Sequence, residues 1–184
     1  MIGNGGGGKS TLSRELGRRL DIPVHEVDPV QFRPDWSRVP SGEVARVLDG
    51  WIQGEAWIVD GFGPWTTIER RLAAADTIVW VDFPLGTHLW WMAKRQLRWR
   101  TTPDGRRRPS SRLMLKTILH VHRRYRSRIE AGLRPHAAKV VRLRTPRELR
   151  SWLAGQHAEA PRGGGPAAIR SQSVDGASPQ ASQR

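Results

Sequence analysis

The chain of 184 residues has no cysteine, one tyrosine and three phenylalanines, and it is short of acidic residues. Without cysteine there is no disulfide scaffold and no thiolate-held metal, and the composition fits a cytoplasmic protein. No apolar run approaches the ~20 residues of a membrane-spanning helix, and no stretch reads as a signal peptide. The histidines (His25, His88, His120, His122, His136 and His157) show no metal-ligand grouping. His120 and His122, two apart, point to different faces of any helix. The acid shortage gives a net charge of +14, and most of it is local. Residues 94–128 hold thirteen Lys or Arg against the single acid Asp104. Such a block suits polyanions such as nucleotide phosphates, nucleic acid or an acidic surface, and it equally suits a solvated face.

Glycine, by contrast, is concentrated. The stretch Gly3-Asn4-Gly5-Gly6-Gly7-Gly8-Lys9-Ser10 satisfies the phosphate-binding loop pattern, with Thr11 following. Glycines let the backbone turn tightly and approach phosphate oxygens. Lys9 is placed to reach the terminal phosphates. The Ser10 hydroxyl is the residue type that holds Mg²⁺, and a helix starting here offers its positive end. The pattern implies ATP or a similar triphosphate with magnesium. The same glycines also read as a dinucleotide loop, Gly3-x-Gly5-x-x-Gly8, with Asp28 about 20 residues on. Lys9-Ser10 decides between them, because a dinucleotide loop has no use for that pair.

Beyond the loop the chain alternates helix and strand. Leu12, Leu16 and Leu20 recur at helical spacing. Val24 to Val27 reads as a short strand ending at Asp28, and Pro29, Pro34 and Pro40 mark an irregular loop. Ser41 is positioned to cap a helix whose Val44, Val47, Leu48, Trp51 and Ile52 form one stripe. Trp57-Ile58-Val59 is a strand closed by Asp60-Gly61, a short helix covers about 65–74, and Thr77 to Val81 is a strand closed by Asp82. Continuous apolarity suits strands covered on both faces. Helices are expected at about 86–99 and 111–133, with a polar Arg-rich loop between them. Lys139 to Leu143 is the last strand. Thr145 and Glu148 form a capping box on the last helix. Residues 154–184, rich in Gly, Pro, Ser and Gln, read as a disordered tail. The alternation predicts an α/β fold with a parallel sheet and helices on both faces.

These residues resemble the adenylate-kinase-like P-loop kinases. The likeness rests on the Gly-rich loop, Asp28, the Trp57 to Gly63 segment and the Thr77 to Pro84 segment in that order. The run Phe32-Arg33-Pro34-Asp35-Trp36 is closer still to small bacterial members labelled adenylate kinase or DNA topology modulation protein. The resemblance covers about residues 1–153. It implies a P-loop NTPase three-layer fold with a five-stranded parallel sheet in order 2-3-1-4-5. It implies ATP and Mg²⁺ as cofactors, bound by Gly3, Asn4, Gly5, Gly6, Gly7, Gly8, Lys9, Ser10 and Thr11. Asp60 would hold the metal with Ser10. Asp82 is the rival carboxylate at a strand end. Asp28 and Arg33 would face the phosphate acceptor, though Asp28 also suits a turn before Pro29 and Arg33 a charged surface. Arg95 and Arg98, beside a short lid at about 99–112, would act on the transferred phosphoryl group with Lys9 and Asp60. The implied activity is transfer of the γ-phosphate to a small acceptor, a nucleotide or nucleoside. The alternative is a nucleic-acid-binding ATPase or regulator using the basic block.

The chain departs from the family's pattern at two points. The arginine expected after Asp60-Gly61-Phe62 is absent, leaving Arg70 or Arg71 to substitute. The first strand has two residues, Met1-Ile2, where about five are usual. Three missing buried apolar residues, at roughly 1.5–3 kcal/mol each, would weigh heavily in a typical stability of about 5–15 kcal/mol. The sequence therefore predicts an in-frame upstream start encoding a few basic and β-branched residues.

Overall fold

In the computed structural model the described residues are 1–98 and 110–156. The elements run β1 (Ile2–Gly3), α1 (Lys9–Leu20), β2 (Val24–Glu26), α2 (Val27–Gln31), α3 (Ser41–Trp51), β3 (Ile58–Asp60), α4 (Trp65–Ala74), β4 (Ile78–Val81) and α5 (Leu85–Arg98). Further along the chain come α6 (Ser111–His120), a π-helical stretch (Val121–Tyr125), α7 (Arg126–Leu133), a 3₁₀ stretch (Arg134–Lys139), β5 (Val140–Leu143) and α8 (Pro146–Ala154).

Every strand pairing is parallel. β4 is the pivot, with Ile2 opposite Trp80, Gly3 opposite Val81, and Ile78 to Val81 in register with Val140 to Leu143. Its side chains alternate between two cores. Val79 and Val81 face Leu12, Leu16, Leu20, Ile58 and Leu143, while Ile78 and Trp80 face Ile68, Leu72, Ile129 and Leu133. A strand wrapped on both faces has no polar side, so its apolar run is unbroken. Leu16 is 1 % exposed at the centre of the first core. Truncating it to Ala would cost about 2–5 kcal/mol through lost transfer energy and the cavity left behind.

The single five-stranded sheet is not formed. The strands separate into a three-stranded sheet, β1-β4-β5, and a two-stranded sheet, β2-β3. The cause is the two-residue β1, which is long enough to pair with β4 alone. On its other side only Met1 reaches β3. Its amino group donates to the Val59 carbonyl, and its carbonyl accepts from Gly61 N–H at 3.1 Å. Two such bonds lay β3 beside β1 without making a ladder.

Other expectations shift locally. The second strand stops at Glu26, and Val27–Gln31 turns into helix with Pro29 near its start, where a missing N–H costs nothing. Pro40, not Ser41, precedes α3, and no side chain caps that helix. The helix expected over 111–133 is interrupted by the π stretch. The last helix begins as foreseen, with Glu148 N–H donating to Thr145 Oγ1 at 3.1 Å and the Glu148 carboxylate accepting from Arg144 N–H at 2.8 Å. Ala154 is helical, and Gln156 is buried and donates to the Trp152 carbonyl at 3.2 Å. Residues 157–184 of the expected tail and residues 99–109 of the expected lid lie outside the described residues.

Candidate active site

The Gly-rich loop connects β1 to α1, as the sequence requires. Gly8 occupies the position before α1 with φ 74° and ψ 11°, a left-handed conformation that favours glycine. A Cβ there would stand 2.7 Å from Cζ3 of Trp91, so α5 packs directly on the loop. The first turn of α1 carries no acidic residue and no capping side chain. Helices α6 and α8, by contrast, are capped by Ser110 and Thr145. The first N–H groups of α1 therefore keep their capacity to bind an anion.

The loop is pinned from three sides. Asn4 Nδ2 donates to the Ile118 carbonyl of α6 at 2.9 Å, and its Oδ1 accepts from Gly5 N–H at 2.8 Å. Lys9 Nζ donates to the Asn4 carbonyl at 2.8 Å, which folds the side chain back over the loop. His88 of α5 is buried, with Nδ1 3.0 Å from the Gly5 carbonyl. A carbonyl only accepts, so Nδ1 carries the proton. Burial, then the nearby Lys9 charge, lowers the His88 pKa to about 4, so the ring is neutral at neutral pH. Sequence reasoning passed over His88, because a lone histidine on an apolar helix face carries no motif.

Asp60 ends β3 across the seam from the loop. Its side chain is buried, and Oδ1 has no hydrogen-bond partner among the described residues. An orphaned carboxylate oxygen is costly unless a cation or water completes it. That observation fits Mg²⁺ held jointly with Ser10. Asp82, the rival, is fully engaged. Arg126 donates to both its oxygens at 2.9 and 3.0 Å, and Arg142 donates to Oδ2 at 2.9 and 2.6 Å. Burial alone would push the Asp82 carboxyl up, but these two guanidiniums hold it below its ordinary value.

The structure brings Asp28 into the same electrostatic field as Lys9, Asp60 and Arg95. Asp28 keeps accessible surface while crowded by protein on most sides. Desolvation pushes its carboxyl up, Asp60 and Glu26 add to the rise, and Lys9 and Arg95 oppose it. The backbone of α5 is described through Arg98, but the Arg98 side chain is not. Thr11 is exposed on α1. Arg33 is exposed. It donates to the Arg38 carbonyl at 2.8 Å across an exposed turn, where Phe32 and Arg38 form an isolated antiparallel bridge. Of the two candidate substitute arginines, Arg70 pairs with Asp49 at 2.8 Å. Arg71 turns inward and donates to the Gly61 carbonyl at 3.0 Å and to the Phe62 carbonyl. Burial lowers the Arg71 pKa to about 10 without discharging it at neutral pH. Arg71 thus clamps the turn that follows Asp60.

Next to that turn lies a cavity of about 500 Å³, lined by Gln31, Arg38, Ser41, Phe62, Trp65 and Tyr125 among others. None of these was a candidate site residue in the sequence. Trp65, three residues after Phe62, was the nearest available signal. Exposed Arg112, Lys116, Arg123 and Arg124 of the basic block lie along α6 and the π stretch. No helix among the described residues is long and apolar enough to cross a membrane.

No family model matches this chain, and no curated protein does. Solved structures do. Shikimate kinase from Acinetobacter baumannii, in complex with shikimate, superposes with a TM-score of 0.53 at 15 % identity, covering 83 % of this chain and 86 % of that one. Shikimate kinases from Aquifex aeolicus and Bacteroides thetaiotaomicron match with TM-scores of 0.47 at 17 % and 14 % identity. Each covers 83 % of this chain, against 91 % and 92 % of theirs. At such identity the first likeness is one of fold: α/β, with parallel strands and helices in the arrangement of that kinase.

Proposed function

We propose that this protein transfers the terminal phosphoryl group of ATP to a small acceptor. The observation that carries the reading is the conjunction at the seam between the two sheets. An uncapped helix start follows a Gly-rich loop carrying Lys9 and Ser10, and a buried carboxylate oxygen at Asp60 lacks a partner. Phosphoryl transfer asks chiefly for positioning and charge neutralisation. Loop and helix start bind the phosphates. Lys9 exchanges the Asn4 carbonyl for phosphate oxygens, and Ser10 and Asp60 hold Mg²⁺, which when bound neutralises charge on the phosphates. Asp28, its carboxyl raised into a better proton acceptor, faces the acceptor. Arg95 contributes positive charge to the same field, and Arg98 follows on the same helix. The P–O bond to the leaving ADP breaks as one forms to the acceptor oxygen.

The family likeness seen in the sequence implies a nucleotide or nucleoside acceptor, for which AMP is the probe. The shikimate kinase fold likeness supports a small molecule in general. A nucleic-acid role would rest on the exposed basic residues of α6 and the π stretch, and the fold likeness to a small-molecule kinase supports transfer instead. The test is calorimetric titration of Mg-ATP into wild type, Lys9→Ala and Asp60→Asn. Binding in wild type that is weakened at least about tenfold in Lys9→Ala is expected, since one hydrogen bond to a charged group is worth roughly 1.5–3 kcal/mol. Equal affinity in wild type and Lys9→Ala, with both folded, would overturn the proposal.

A further inference from the structure

The cavity beside the Asp60 turn has a chemistry of its own. Three aromatic side chains form one wall. Phe62 and Trp65 lie 5.7 Å apart with ring planes at 53°, and Trp65 and Tyr125 lie 5.6 Å apart at 25°. The wall is set before any ligand arrives. The Arg128 guanidinium lies 4.1 Å from the centre of the Trp65 ring, and His120 meets Tyr125 edge-on at 5.1 Å. Side chains already locked lose little rotamer freedom on binding. The π stretch matters here. It directs both Val121 and Tyr125 into the cavity, one at each end of a five-residue π turn.

The rest of the lining is partly polar. Among the described residues Arg38 is the one charge lining the cavity, where Gln31 and Ser41 add neutral hydrogen-bonding groups. Its guanidinium lies 5.5 Å from the Phe32 ring centre. No carboxylate stands among the described lining residues. One guanidinium matches one unit of negative charge, and a second would be desolvated without a partner. Flat rings, in turn, gain offset or edge-to-face contact with an aromatic wall that puckered saturated rings do not. A volume of about 500 Å³ admits a ligand of two fused rings with substituents.

We propose that this cavity is the acceptor site and that it selects a flat aromatic ring bearing a single carboxylate, with a ring hydroxyl as the oxygen that takes the phosphoryl group. The inference rests on the phosphoryl-transfer reading for what the site does, and on the cavity alone for what it binds. Four probes separate its terms in the wild-type protein, followed by Trp fluorescence and by ligand-detected magnetisation-transfer NMR. They are 2-naphthoate, its saturated counterpart decahydro-2-naphthoate, the uncharged 2-naphthalenemethanol, and the dianion 2-naphthyl phosphate. The expected result is that 2-naphthoate binds tightest of the four. Arg38→Gln, at an exposed position, should weaken 2-naphthoate about ten- to hundredfold and leave 2-naphthalenemethanol unchanged. Trp65→Leu should narrow the gap between naphthoate and its saturated counterpart by about two- to tenfold. Tightest binding by the phosphate, or by AMP in the same assay, would overturn the single-charge assignment. Equal binding of the saturated acid would overturn the flat-ring assignment, and no binding of any probe would overturn both. Mg-ATP titrated into the same protein reads the transfer proposal separately. Intact ATP binding beside failed naphthoate binding sinks the acceptor class alone.

Discussion

Asp60 and Asp82 both close apolar strands, yet their surroundings predict opposite consequences for the same substitution. Asp82 receives four hydrogen bonds from two guanidiniums. Its side chain is 6 % exposed, that of Arg142 24 % and that of Arg126 45 %. The Arg126 pair is open to solvent and is worth about 0–1 kcal/mol. The Arg142 pair is mostly dry, and Arg142 also lies over the Trp80 ring at 4.1 Å. Removing one member of a buried pair costs roughly 3–5 kcal/mol. An asparagine keeps the shape and one acceptor, so Asp82→Asn should cost about 2–4 kcal/mol. At about 2–4 °C per kcal/mol that is a fall in Tm on the order of 5–15 °C. Affinity for Mg-ATP below that Tm should be unchanged. Asp60→Asn removes a charge whose Oδ1 has no partner, so Tm should hold or rise while magnesium-dependent ATP binding falls. The assay is thermal unfolding of both variants with and without Mg-ATP. An Asp82→Asn protein that keeps its Tm but loses ATP binding, or the reverse pattern at Asp60, would refute the assignment of roles.

The remaining predictions concern the clamps around the loop and the chain end. His88 has a folded pKa of about 4 against an ordinary 6.5, so the unfolded chain binds more protons between those values. Stability should therefore be full above about pH 6.5, fall as pH drops towards 4, and lose roughly 3 kcal/mol at most. Denaturant melts of His88→Leu should show a flatter pH dependence than wild type over that range. Replacing Arg71 by Met strands the Gly61 and Phe62 carbonyls, and equilibrium unfolding should show a loss of about 2–4 kcal/mol, with Arg71→Lys recovering part of it. Deleting residues 157–184 should leave Tm unchanged on compositional grounds. Cutting after Leu153 should lower it, because Gln156 and the end of α8 are then lost; equal Tm values for the two truncations would refute this.

Local patterns in the sequence carried the strands, their parallel pairing, the helix at 65–74 and the capping box at Thr145, because each is written in neighbouring residues. The phosphate-binding loop was legible for the same reason, since its chemistry demands residue types at fixed spacing. What stayed hidden depends on distant partners. Whether Asp82 is free or bridged depends on Arg126 and Arg142, 44 and 60 residues away. The sequence pointed to Arg33, whereas Arg38, beyond the turn at Trp36 with φ 66°, is the arginine that lines the cavity. The π stretch has no compositional signature, so the helix at 111–133 looked continuous. The split of the sheet was foreshadowed by the two-residue first strand. The sequence could not show that backbone atoms of Met1 would still hold β3 beside β1.

The seam between the two sheets also places the site. A parallel sheet presents its strand ends along one edge, and ligands gather where neighbouring connections diverge. Here the loop leaves β1 on one side of the seam, and the Asp60 turn leaves β3 on the other. Each is fixed by contacts that bypass the β1 ladder. The loop is held by Asn4 to α6 and His88 to Gly5, the turn by Arg71 to Gly61 and Phe62. Side-chain clamps thus position both the loop and the turn. It follows that substitutions at Asn4, His88 and Arg71 should act on ATP affinity and stability together, whereas Lys9 and Asp60 should act on affinity alone. A set in which all five variants lose affinity at constant Tm would show that the backbone, not the clamps, fixes the site.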